Sequence, residues 1–384
     1  MAGRIKKITA MFLCLTLISL SLVGCSGGQQ AKEDQIKIGS VLELTGNASS
    51  YGQSALKAIK LALKEINAQG GVLGKELVLI SEDNKSEPAD AANATTKLIQ
   101  QDQVDALISC MASSNGIASA NIAQASQVPY VAPATVAPEV TQAGDYIFRV
   151  CFISPYQGKI MAKFATEKLK AKRIAILTDM STDYSKGLTK FFKEDFTKLG
   201  GQIVGEEAYS QKDTDFSAQL TKIKNLKPDA IFVPGYYNEV GLIAKQAKQL
   251  GINIPLLGGD AWDSPKIVEM GGKAIDGCYF VNHYSAQDSD PKIKEFIEKF
   301  QKEYGEVPDS MAALGYDAVI VLADAIKRAG STDKKAVRDA LAATKDFQAV
   351  TGSLTMDADR NPVKSAVILT FKDGKQVFVE KINP

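Results

Sequence analysis

Between Val104 and Thr141 the apolar and polar positions fall into an order that sets the reading of the whole chain. VDALIS (Val104–Ser109) is a short, almost wholly apolar run, the pattern of a strand buried on both faces of a parallel sheet. It runs into Ala112-Ser113-Ser114-Asn115-Gly116, small residues read as a loop that can expose its backbone N–H groups. A helix follows, with Ile117, Ile122 and Ala125 spaced about one face. A second strand, Val128–Val131, empties into Ala134–Pro138. Two loops therefore leave the carboxyl ends of neighbouring strands, the usual ligand position in open α/β sheets. A helix N-terminus there favours an anion such as a carboxylate. A turn with no ligand fits this stretch equally well.

The chain repeats the pattern. Lys227–Asp260 has an apolar strand opened by Asp229-Ala230, as Asp105-Ala106 opens the first. A loop (Gly235-Tyr236-Tyr237-Asn238), a helix and a proline-led strand follow, ending in Gly258-Gly259-Asp260. Asp105 and Asp229 lie 124 residues apart, so the repeat is a duplicated lobe and not a short solenoid unit. Two α/β lobes with strand-end loops aimed outward predict a binding cleft between them.

Upstream, Ile36–Leu44, Glu76–Ser81 and helix Ala89–Gln100 give the alternation of a doubly wound parallel sheet. The first helix carries Leu56, Ile59, Leu63 and Ile66 on one face and stops at Gly70-Gly71. Phe148–Gly158 marks a crossing between lobes. A fresh series starts with strand Arg173–Thr178, a helix after Asp183-Tyr184 and strand Gln202–Ala208. A second crossing falls near Cys278–Tyr284, before helices Pro291–Tyr304, Ser310–Ala329 and Lys334–Ala342. Strands Ser353–Met356, Ser365–Phe371 and Gln376–Glu380 end the chain, with Asp373-Gly374 as a turn and a third crossing near Val350. The expected fold is α/β, two doubly wound parallel-sheet lobes joined by a multi-strand hinge. Lobe I takes residues 36–150 and 284–350, lobe II 151–283 and 351–384.

Ahead of these elements, Arg4, Lys6 and Lys7 precede an apolar stretch, Ile8–Val23, short of the ~20 residues of a span. It ends Leu22-Val23-Gly24-Cys25, which resembles the lipobox of bacterial lipoproteins, so residues 1–24 are a signal peptide and Cys25 the lipidation site. Residues 25–35 form a flexible tether. The chain carries 45 basic and 44 acidic residues; without the three basic residues of the leader the balance is 42 to 44, a formal charge of −2. That balance gives no reason to expect nucleic acid or an anionic membrane surface as partner. Of five cysteines, Cys110, Cys151 and Cys278 remain after Cys14 and Cys25. Their spacing suits no metal. They are read as small buried residues, with a Cys110–Cys151 bridge as the alternative.

The stretch from Val104 to Thr141 is joined by Leu44-Thr45-Gly46 with Tyr51-Gly52, Glu65-Ile66-Asn67-Ala68-Gln69-Gly70-Gly71, Asp215-Phe216-Ser217, Gly235-Tyr236-Tyr237 and Gly315-Tyr316-Asp317-Ala318. In this order and spacing they resemble the type I periplasmic binding proteins, specifically the branched-chain amino-acid receptors of ABC transporters, over essentially the whole mature chain. The resemblance implies an extracytoplasmic, lipid-anchored monomer that captures an amino acid, without cofactor or metal, for the transporter's permease subunits. Related receptors take short amides, urea or aromatic acids, and a sensory subunit of the same fold is a further alternative.

The resemblance also assigns roles. Ser113, with Ser114 beside it, takes the ligand carboxylate; backbone groups at Ala134 and Val136 bridge carboxylate and ammonium. Tyr236 adds a phenol from the other lobe, Asp260 pairs with the ammonium, and Tyr51 and Tyr184 line the side-chain pocket. The family usually has threonine where Val136 stands. Here the threonine is Thr135, so either Thr135 serves or one hydrogen bond is missing. Alternation along an extended Asp260–Asp263 loop would turn Trp262 to the cleft with Asp260. Enzyme chemistry finds little support: there is no G-x-S-x-G elbow, phosphate loop or metal spacing, Asp179 and Asp183 have no evident pairing, and the lone His283 reads as a surface or core residue.

Overall fold

Residues 35–383 are described by the structure, a computed structural model; the leader, Cys25 and the tether through residue 34 lie outside the described residues. The first sheet holds β1 (Gln35–Leu42), β2 (Glu76–Asp83), β3 (Ala106–Ser109), β4 (Tyr130–Ala132) and β5 (Ile147–Arg149) in the order β2-β1-β3-β4-β5, all parallel. Its crossover helices are α1 (Ser49–Ala68), α2 (Pro88–Gln100), α3 (Ser113–Ala125) and the single turn α4 (Glu139–Gln142). The short central strands are buried on both faces, which is why they read as unbroken apolar runs.

The second series runs α5 (Ser154–Glu167), β6 (Arg173–Asp179), α6 (Asp183–Lys198), β7 (Gln202–Tyr209), α7 (Ser217–Asn225), β8 (Ala230–Phe232), α8 (Tyr237–Gln249), β9 (Leu256–Gly258), α9 (Pro265–Gly271) and β10 (Tyr279–Asn282). Its strands repeat the first order as β7-β6-β8-β9-β10. In both sheets the order reverses after the first strand of the series, at β1/β3 and β6/β8. Loops splay apart there and leave a crevice.

Three helices then return to the first sheet's side: α10 (Pro291–Tyr304), α11 (Ser310–Ala329) and α12 (Lys334–Ala342). Helix α11 lies along α1, close enough that a Cβ on Gly315 would meet the Ala55 backbone. A small antiparallel sheet, β11 (Phe347–Ala349), β12 (Gly352–Met356) and β13 (Pro362–Val363), stands apart from both large sheets. From Ala366 the chain rejoins the second sheet as the hairpin β14 (Ala366–Lys372) and β15 (Lys375–Ile382), turning at Asp373-Gly374 with positive φ at both positions.

Buried polar groups pin the crossings. Asp317 on α11 accepts from the N–H groups of Val350 (2.7 Å) and Thr351 (3.0 Å). Lys364, its ammonium pulled down to about 8 by burial, donates to the Val150 carbonyl at 3.1 Å and to Thr351. Cys110, Cys151 and Cys278 are free and buried, so the bridge between Cys110 and Cys151 is not formed. No helix among the described residues is long and apolar enough to cross a membrane.

Candidate functional site

The lobe I half of the site is made of backbone. The stretch from Ala112 to Gly116, expected as a loop, is mostly helix: α3 begins at Ser113, with Ala112 extended at its N-cap. Ala112 has no side chain able to cap. The N–H groups of Ser113, Ser114 and Asn115 therefore have no acceptor among the described residues, whereas Gly116 N–H already bonds to the Ala112 carbonyl. Just before them Cys110 adopts a left-handed conformation (φ 63°). This turns the N–H groups of Met111 (2.9 Å) and Ala112 (3.2 Å) onto the Glu43 carboxyl group. Asn84 and Asn115 complete the Glu43 environment at 3.1 and 2.8 Å. Burial pushes the Glu43 pKa above the ordinary carboxylate value, and these donors oppose that shift.

The neighbouring loop, Ala134–Ala137, is held from beneath by Arg149. Its guanidinium donates to the carbonyls of Thr135 (2.6 Å) and Ala137 (2.8 Å). Ala137 N–H reaches the Ser113 hydroxyl at 3.3 Å, tying the two loops together. The Val136 carbonyl accepts from Ser154, while Val136 N–H and the Ala134 carbonyl have no partner among the described residues. The Val136 side chain belongs to the apolar core. Thr135 stays against α3, where a Cβ on Gly116 would fall 2.5 Å from its Cγ2, and its buried hydroxyl has no partner among the described residues.

Lobe II contributes side chains. Tyr236 ends the loop before α8, and its buried hydroxyl has no partner among the described residues. Burial holds that phenol far above its ordinary pKa, so it is a proton donor. Tyr184, in the first turn of α6, stacks obliquely on Tyr236 (5.4 Å, 35°), and its hydroxyl accepts from Ala261 N–H at 3.4 Å. Asp260 is 2 % exposed. It takes Gln157 Nε2 at 3.0 Å on one oxygen and His283 Nε2 at 2.9 Å on the other. His283 is buried against Phe152 (3.7 Å, 20°), and burial lowers its pKa, so the ring is neutral and donates from Nε2.

His283 lies in the core, one of the two positions expected of it, and there it partners Asp260. One expectation fails. Asp260–Trp262 is a 3-10 turn, not an extended loop, so alternation does not apply. Trp262 points into lobe II, fully buried, with its indole N–H on the Val233 carbonyl at 3.2 Å and its ring by Phe280.

The structure closes these halves on each other. Asp183 N–H donates to Ser114 Oγ at 3.1 Å, joining the N-termini of α3 and α6. Tyr51 crosses from lobe I, donates to the Ala261 carbonyl, accepts from Tyr237 N–H at 3.3 Å and meets Tyr236 edge to face at 5.7 Å. Ser50 and Ser264 hydroxyls lie 2.7 Å apart, and Asn238 donates to Asn47 at 2.6 and 2.8 Å. Tyr51, Ser113, Ala134, Thr135, Val136, Tyr184, Tyr236 and Asp260 are all buried, and Ser114 is half-buried. Beside them a cavity of about 270 Å³, lined by Ser114, Asn115, Thr182, Lys212 and Tyr236 among others, opens between the lobes. Glu43, Arg149, Gln157 and His283 were missed. The available signal was charge in apolar runs, Glu43 in VLEL and Arg149 in IFRV. Among the described residues no cluster of His, Cys, Asp and Glu could hold a metal ion.

Residues 35–376 match the family model for periplasmic binding proteins. The Leu/Ile/Val-binding protein of Rhizobium johnstonii is 31% identical over 346 residues, covering 89% of this chain and 93% of the relative. A leucine-binding protein from Thermotoga maritima superposes with a TM-score of 0.88 at 41% identity, covering 91% of this chain and 99% of that one. A branched-chain amino-acid transporter substrate-binding protein from Streptococcus pneumoniae, solved with isoleucine, gives 0.87 at 39% identity, covering 91% and 100%.

Proposed function

The chain belongs to the periplasmic binding protein family, and from that premise we propose that it captures a branched-chain amino acid between its lobes. It then delivers the amino acid to the permease subunits of an ABC transporter. Residues 36–150 with 284–350 act as lobe I, and 151–283 with 351–384 as lobe II. The ligand carboxylate is received by the uncapped N–H groups of α3 with the Ser113 hydroxyl, and by Tyr236 from the other lobe. Its ammonium goes to Asp260 and the Ala134 carbonyl, and Tyr51 and Tyr184 border its side chain. The protein works outside the cytoplasm as a monomer, held to the membrane by lipid on Cys25, and releases its ligand chemically unchanged.

One observation carries this reading. In a closed, buried cluster, a tyrosine hydroxyl without a partner and an uncapped helix N-terminus share the site with a carboxylate. Donors for an anion and an acceptor for a cation are thus built into one enclosure, which suits a zwitterion. The buried phenyl rings of Tyr51 and Tyr184 favour an apolar side chain.

A thermal-shift screen tests it. Ligand at a hundred times its dissociation constant adds about 2.7 kcal/mol of stability. Leucine, isoleucine and valine are expected to raise the melting temperature, while short amides, urea and benzoate are not. Stabilisation by the latter group alone would replace the amino-acid reading. The anchor is tested separately: Cys25→Ala should free the protein from bacterial membranes, and full membrane partitioning of that variant would place the anchor elsewhere.

A further inference from the structure

Arg149 closes β5 as the last residue of an otherwise apolar strand, and it is 0% exposed. All three of its hydrogen bonds go to neutral oxygens: the carbonyls of Thr135 and Ala137, and Thr141 Oγ1 at 3.2 Å. Among the described residues its Nε has no partner, and none of its hydrogen bonds goes to a carboxylate. Burial lowers its pKa from the ordinary value, but a guanidinium stays protonated in a protein. Among the described residues this buried positive charge is bonded by no carboxylate. Leaving such a charge unpaired is costly, and an anion arriving nearby offsets the cost.

The guanidinium is one residue removed from the proposed carboxylate grip. Arg149 Nη2 binds the carbonyl of Ala137, whose own N–H binds Ser113 Oγ. Two buried acids of lobe I have donors of their own: Glu43 takes Met111, Ala112, Asn115 and Asn84, and Asp317 takes Val350 and Thr351. Asp145, the acid nearest Arg149 in sequence, is exposed and pairs with Arg338, and Glu139 is exposed as well.

We propose that Arg149 is a positioning residue that sets ligand class. It fixes the Thr135–Ala137 loop by two carbonyls and, as the unpaired cation beneath that loop, makes lobe I selective for ligands carrying a carboxylate. The inference rests on the amino-acid reading above. A charge acting across one residue of backbone in a poorly screened interior is worth roughly a tenfold or larger change in affinity for an anion. For a ligand with a neutral group in that place it is worth little.

The test compares L-leucine with L-leucinamide, which differ in that one group, by calorimetry on wild type, Arg149→Lys and Arg149→Gln at neutral pH. Wild type should prefer the acid by about a hundredfold. Arg149→Gln keeps a donor for the loop but loses the charge, so the preference should fall about tenfold or more, mostly through weaker leucine binding. Arg149→Lys keeps the charge and should restore most of the preference. Equal weakening of both ligands in Arg149→Gln would make Arg149 a loop support only and overturn the proposal. Comparable affinity of wild type for acid and amide would overturn it too, whether or not either variant folds. Failure of wild type to bind leucine at all would instead remove the amino-acid reading on which it rests.

Discussion

The two halves of the cleft offer a ligand different materials. Lobe I offers backbone: the first N–H groups of α3 and the Ala134–Val136 loop, held from behind by Glu43 and Arg149. Lobe II offers side chains: Tyr184, Tyr236 and Asp260, the last held by Gln157 and His283. A backbone surface keeps its chemistry when the residue presenting it changes, so lobe I is altered mainly through the buried charges behind it. A side-chain surface changes with each substitution. In the proposed mode the carboxylate is therefore read chiefly by the half that is hard to mutate, and the ammonium by a side chain of the other.

The sharpest way to break this contrast is Asp260→Asn. Removing one partner of a buried charge pair costs about 2–5 kcal/mol, or roughly thirty- to several-thousand-fold in affinity. Calorimetry with the best amino acid should show that loss, and unchanged affinity would deny Asp260 its role. Next comes Tyr236→Phe. Its hydroxyl has no partner among the described residues, so stability without ligand should hold while a hydrogen bond to an anion, about 1.5–3 kcal/mol, is lost. Destabilisation of the free protein with full affinity retained would mean the phenol serves the fold.

Glu43→Gln tests the opposite half. One of the oxygens that receive Met111 and Ala112 becomes an amide, so unfolding should be eased by about 1–2 kcal/mol in urea titrations. Affinity should weaken alongside, since the same turn aims α3. Loss of stability with undiminished affinity would separate the loop from binding.

The smallest effect is one of pH. Burial lowers the His283 pKa below that of the unfolded chain, so between the two values the native state holds fewer protons. Stability is then intact above about pH 6.5 and declines as the pH falls toward the native pKa. Affinity should fall with it, because a protonated His283 would neutralise Asp260. His283→Gln should flatten the difference in melting temperature and affinity between pH 7 and pH 5; an unaltered profile would assign the pH dependence to other groups.

Legibility in the sequence followed where a residue's partner lies. Helices Pro291–Tyr304, Ser310–Ala329 and Lys334–Ala342 were readable to the residue, because Asp290, Asp309 and Asp333 cap them and one face is periodically apolar. The start of α3 was not, since Ala112 provides no capping side chain and the small residues after it look like a loop. Trp262 misled because a single 3-10 turn has no sequence period of its own. Glu43, Arg149 and His283 bind groups distant in sequence or backbone atoms, which no local pattern displays. Tyr236 and Asp260 were placed through family likeness, not by spacing.

The account turns on the orientation of a zwitterion between unlike surfaces. A crystal structure of the protein with L-isoleucine tests that most directly. It should show the carboxylate within hydrogen-bond distance of Ser113 and the Tyr236 hydroxyl, and the ammonium on Asp260 with Gln157 and His283 still in place. A ligand bound with its head group reversed, or held outside this enclosure, would contradict it.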